Sequence, residues 1–165
     1  MPSLTIVDNI LYPRDKLVIR YTGENVKEVC NIIRPILERV LQVEAKDTYE
    51  RILKWDSTSN PRSFYNEWTT NKEEDKWTVY SFKIIAQGTH DINTNRGSVT
   101  IEIYAWLRTS YDYSNFIQRF FWSLYNKFFY YRRRREYLEQ GRMLTFELRD
   151  AFMQALKIPK LEETE

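Results

Sequence analysis

The stretch Ser98–Arg108 constrains this chain more than any other. Val99, Ile101, Ile103, Ala105 and Leu107 alternate with Thr100, Glu102, Tyr104, Trp106 and Arg108. A period of two places these sets on opposite faces of a strand, whereas a helix would mix them. One face is aliphatic throughout and needs a cover. Thr48–Trp55, Ser63–Thr70 and Lys76–Ala86 also read as strands. Asp56–Pro61 is a turn-rich loop, Asn71–Asp75 reads as a hairpin loop, and Gly88–Gly97 makes the next connection. Links this short favour an antiparallel meander.

Lys16–Thr22 adds a strand with Leu17, Ile19 and Tyr21 on one face. Residues 1–14 lack a clear period and carry Pro2 and Pro13, so they read as an N-terminal arm or edge segment. Asn25 with Glu28 has capping-box spacing, and Val26, Val29, Cys30, Ile33, Ile36, Leu37, Val40 and Leu41 come next at helical intervals. Pro35 is expected to kink or split that helix. A long helix starts after Ser110–Ser114, capped by Asp112 or Ser114, and runs to about Glu139. Gly141 marks a break or bend, and Met143–Lys157 is a second amphipathic stretch stopped by Pro159.

The fold class is therefore α+β: an antiparallel meander of about five strands, packed with one kinked helix and a long C-terminal helix, in the order β-α-β-β-β-β-α-α. A chain of 165 residues fits one domain, 1–165, and at this size roughly 70% of the unfolded surface can be buried. Residues 160–165 read as a disordered acidic tail. The element order is similar to the helix-grip arrangement, in which a curved sheet wraps a long C-terminal helix around a cavity. The likeness is one of element order and implies, as an alternative, a small-molecule binder with an apolar cavity.

Enzyme chemistry finds little footing. Cys30 is the single cysteine, which excludes an intramolecular disulfide and a thiolate cluster. The four glycines are isolated, and neither a nucleophile elbow nor a zinc helix occurs. His90 beside Asp91 reads as a solvated loop pair, and Cys30 as a buried, inert thiol. The chain reads as a non-enzyme without metal or cofactor. Its start lacks a signal-peptide pattern and no run of eighteen apolar residues occurs, so a cytoplasmic setting is expected. Abundant Lys, Glu, Arg, Ile and Tyr with little Cys, His and Gly is compatible with a thermophile.

The aromatic content is high: twelve Tyr, nine Phe and five Trp. Phe116–Tyr131 concentrates it. At about 100° per residue, Phe116, Ile117, Phe120, Phe121, Leu124, Phe128 and Tyr131 share one half of a helix, which reads as the stripe docked on the sheet. Trp122, Tyr125 and Phe129 form a second stripe that needs another cover. Trp77, Tyr104 and Trp106 fall on the outer sheet face. These six are the candidate interaction residues, and a homo-oligomer or protein partner is the expected cover. Arg51 and Asn66 lie on the more apolar strand faces and are the candidate ligand-binding pair for a small apolar ligand with a polar head. Net charge is only +2, but Lys127–Arg142 holds six basic and two acidic residues. Arg132, Arg133, Arg134 and Arg135 are read as a solvated collar and as the candidate phosphate-binding cluster for nucleic acid. An anionic membrane surface ranks last among these partners. The leading expectation is a structural or interaction protein acting through exposed aromatic surface.

Overall fold

The structure, a computed structural model, describes residues 1–157. Its strands are β1 (Ser3–Asn9), β2 (Leu17–Glu24), β3 (Thr48–Trp55), β4 (Arg62–Glu73), β5 (Thr78–Asp91) and β6 (Arg96–Asp112). They form one antiparallel sheet in the order β1-β6-β5-β4-β3, with β2 also on β6. The meander β3 to β6 is as expected. The N-terminal segment is more ordered than an arm: Ser3 to Asn9 pair with Asp112 to Trp106, and Leu17 to Glu24 pair farther along the same edge, with Ile103 to Arg96.

The hairpin β5–β6 is longer than its sequence suggests. By sequence this strand ends at Ala86 and Gly88–Gly97 makes the connection, yet β5 runs on to Asp91 and β6 begins at Arg96, with a turn closed by Asn95 at φ 55°. The reason is a close approach. A Cβ on Gly88 would lie 1.9 Å from the Ser98 carbonyl oxygen, and one on Gly97 would lie 1.9 Å from that of Thr89. Glycine here permits strand contact rather than stopping the strand.

The inner face carries Tyr80, Phe82, Ile84 and Ala86 of β5 and Val99, Ile101, Ile103, Ala105 and Leu107 of β6, all buried. Helix α1 (Val29–Leu41) covers it with Val29, Ile33, Ile36, Leu37 and Leu41. Pro35 sits inside this helix without splitting it. The capping box does not form: Asn25 takes φ 56° and its side-chain oxygen accepts from Nδ2 of Asn95 at 2.6 Å. The C-terminal helix is α2 (Phe116–Tyr125), a π turn (Asn126–Tyr130) and α3 (Tyr131–Ala155) in continuous succession. Asn115, rather than Asp112 or Ser114, caps it by accepting from the Gln118 amide. Gly141 does not break α3. A Cβ there would meet Tyr80 at 2.8 Å and Ile10 at 2.9 Å, so this glycine brings the helix close to the sheet. Leu148 and Phe152 complete the core. Pro159 and the tail 160–165 lie outside the described residues.

Candidate interaction surface and its anchor

The aromatic helix sits the opposite way round from the sequence expectation. Phe116, Ile117, Phe120, Phe121 and Phe128, expected to dock on the sheet, are 54–78% exposed. Tyr131 is exposed and Leu124 half-buried. The face turned to the body is the smaller stripe. Trp122 stacks on Tyr111 with centroids 4.7 Å apart, and its Nε1 donates to the Asp112 carbonyl at 3.0 Å. Tyr125 stacks on Tyr130. Both meet Trp77, with centroids 5.7 and 6.0 Å away.

Trp77 lies in the β4–β5 turn and also contacts Tyr111 and Tyr130. Thus Trp77, Trp122 and Tyr125, expected to need a partner chain, cover one another within this chain. Phe129 stacks on Tyr125 yet stays 75% exposed. Tyr104 and Trp106 lie half-buried on the outer sheet face, stacked 5.8 Å apart. Lys16 and Lys83 approach the Tyr104 ring, and the Tyr104 hydroxyl donates to Glu102 at 2.9 Å.

Two features select this orientation. The Trp77 ring gives Trp122 and Tyr125 edge contacts, and the Asp112 carbonyl at the end of β6 takes the Trp122 indole N–H, a bond that phenylalanine cannot make. The π turn then inserts an extra residue into the helix, rotating the downstream residues by about 100°. That rotation brings Tyr130 and Arg134 inward.

Arg134 corrects the reading of the arginine run. It is 4% exposed, whereas Arg132, Arg133 and Arg135 are exposed. Its guanidinium donates to Asp8 and Thr109 and reaches the carbonyls of Ile6 and Leu107. It is a strand-to-helix clamp, buried between β1, β6 and α3 and paired with Asp8, and does not belong to a solvated collar. From Thr109 the hydrogen bonds continue to Thr78 at 3.0 Å, to the Tyr130 hydroxyl, and to Asp75 at 2.6 Å. Asp75 also accepts from the Trp77 and Thr78 amides and from the Tyr137 hydroxyl. The chain of bonds ties β1, β5, β6 and α3 together and fixes the platform from which α2 projects.

Burial raises the Tyr111 hydroxyl to about 12 and pushes Tyr130 up, with Asp75 adding to the latter. For Asp75, burial alone would raise the carboxyl. The Tyr130 hydroxyl, the two amides and Tyr137 outweigh it and hold the group below its ordinary value. A depressed folded-state value contributes stability that is complete above the unfolded value of about 3.9 and is lost as pH falls through the folded value. Acid unfolding monitored between about pH 5 and pH 2 should therefore show a steeper loss in the parent than in Asp75→Asn. Parallel curves would contradict this role.

The candidate ligand pair separates. Arg51 falls at the bulge between Glu50 and Ile52 on the edge strand β3 and is exposed. Asn66 is fully buried, and neither atom of its amide has a hydrogen-bond partner of ordinary geometry. The Cys30 thiol faces it; burial raises that thiol and the Asn66 contact opposes the rise. Nearby, an open groove of about 650 Å³ is lined by Cys30, Arg34, Glu50, Leu53, Trp55 and Trp68. His90 is buried rather than solvated, and Asp91 is occupied by the Asn93 and Thr94 amides of the turn. Among the described residues no cluster of three metal-ligating side chains occurs, and no helix is long and apolar enough to cross a membrane.

No family model matches the sequence, and no curated protein does. Solved structures give remote likenesses. A protein of unknown function from Staphylococcus aureus has a TM-score of 0.27 at 8% identity, over 86% of this chain and 96% of that one. A putative uncharacterized protein from Rhizobium leguminosarum has a TM-score of 0.27 at 7% identity, over 96% and 100%. A protein from Rhizobium loti has 0.20 at 10%, over 92% and 99%. Likenesses at this level carry no argument about function.

Proposed function

We propose that this chain is a non-enzymatic interaction protein that docks through the outward aromatic face of α2 and the π turn, on a second copy or on another partner. The observation that carries this reading is the exposure of Phe116, Ile117, Phe120, Phe121, Phe128 and Phe129 on one projecting helix. Scattered exposed apolar residues are ordinary, but five on one face with Phe129 at its margin are a docking surface by the usual standard. The apolar hollow of about 520 Å³ between Phe121, Leu124, Tyr125, Phe128 and Phe129 gives that face relief. A buried hydrogen-bond network holds the helix in place, so the surface is pre-formed and loses little entropy on docking. A cytoplasmic setting fits the single unpaired cysteine.

Sedimentation of the purified chain, alone and with mild detergent micelles, tests the reading. The parent should self-associate or bind micelles, and Phe120→Ser with Phe121→Ser should do neither while keeping its circular dichroism. A parent that stays monomeric and ignores micelles at high concentration would refute it. A second reading, a small-ligand binder at the α1–β3 groove, draws on the unpartnered Asn66 amide beside it.

A further inference from the structure

We propose that the partner of this face is an anionic lipid bilayer, with α2 lying in the headgroup plane and its phenylalanines in the acyl boundary. The inference rests on the docking reading and names its occupant. It reverses the ranking drawn from sequence, where a net charge of only +2 placed the membrane last.

Charge decides between occupants. From Tyr113 to Arg135 the chain contains no acidic residue. Arg119, Lys127, Arg132, Arg133 and Arg135 are all exposed there, and none has an ion pair among the described residues. Arg119, Lys127 and Arg135 instead lie near the rings of Tyr113, Phe128 and Tyr131 at 5.7–5.9 Å. A two-fold pairing would bring this cationic surface against itself, with no carboxylate on the segment to answer it. Duplex nucleic acid would neutralise the cations but leave Phe116, Phe120 and Phe121 in water, because its bases are already stacked on one another. An anionic bilayer satisfies both: its phosphodiester headgroups take the cations and its acyl boundary takes the rings. Amphipathic helices with a basic flank and a Phe- or Trp-rich face dock in this way. The long arginine stems reach headgroup level while the rings sit deeper.

Vesicle flotation of the full chain tests this. Zwitterionic phosphatidylcholine vesicles are compared with vesicles containing phosphatidylglycerol, at low and high salt. The expected result is flotation with the anionic vesicles alone, reduced by salt. Arg132→Ser with Arg133→Ser and Arg135→Ser, sparing Arg134, should weaken binding by ~100-fold. Phe120→Ser with Phe121→Ser should weaken it by ~100-fold as well. Absence of flotation with anionic vesicles overturns the proposal; if the chain then sediments as a dimer that the Phe variant dissociates, docking stands and the occupant is a second copy. Equal, salt-independent flotation with both vesicle types also overturns it. So does binding to a mixed-sequence oligonucleotide, single-stranded or duplex, in place of vesicles.

Discussion

Asp8→Ala should cost more stability than Arg134→Met, although both remove one partner of the same ion pair. The side chain of Arg134 is 5% exposed and that of Asp8 is 47% exposed. Removing the aspartate leaves a guanidinium buried among Thr109 and the carbonyls of Ile6 and Leu107, with no anion. An uncompensated buried charge of this kind costs about 3–5 kcal/mol. At this chain length that lowers the melting temperature by about 10 °C. Removing the arginine leaves Asp8 free to hydrate. The loss is then mainly that of the Thr109 and carbonyl hydrogen bonds, about 1–2 kcal/mol, with the methionine stem keeping part of the packing. Chemical denaturation of the two variants reads the order directly. If Arg134→Met were the more damaging, the pair would not be working as a clamp whose charge is held by Asp8.

That clamp was hidden in the sequence because Arg132 to Arg135 are chemically identical neighbours. Nothing in their order marks the third as buried; the π turn upstream sets its direction. The strands were legible because each repeats its pattern: the alternation at Ser98–Arg108 fixed β6, and short links fixed the antiparallel meander. β1 was hidden because Ser3–Asn9 is an edge strand whose inward positions are only half-buried, so no strongly apolar face marks it, and Pro2 and Pro13 flank it. Gly88 and Gly141 misled for one reason. Both were read as conformational breaks, and both are places where another chain segment comes too close for a Cβ. The aromatic helix was found in sequence, but its facing was not. The larger apolar stripe was assigned to the core by area, while Trp122 and Tyr125 had partners in Trp77, Tyr111 and Tyr130 that only the fold assembles.

The facing of α2 is the central claim, because every docking proposal depends on it. Trp122→Ala should cost about 2–3 kcal/mol, below the usual value for a fully enclosed tryptophan because this one is half-buried. The loss comes from its stack on Tyr111, its edge contact with Trp77 and its bond to the Asp112 carbonyl. Phe120→Ala with Phe121→Ala removes more apolar side chain in total, yet both residues are more than half exposed. The double variant should change stability by no more than about 0.5 kcal/mol. Alanine's better helix propensity offsets part of the lost contact between the two rings. The most direct measurement is denaturant unfolding of these two variants beside the parent, at a concentration low enough to keep the chain dissociated and without lipid. A large loss for Trp122→Ala and a negligible one for the phenylalanine pair is the predicted result. A phenylalanine pair that costs as much as Trp122 would put that stripe in the core and contradict the account.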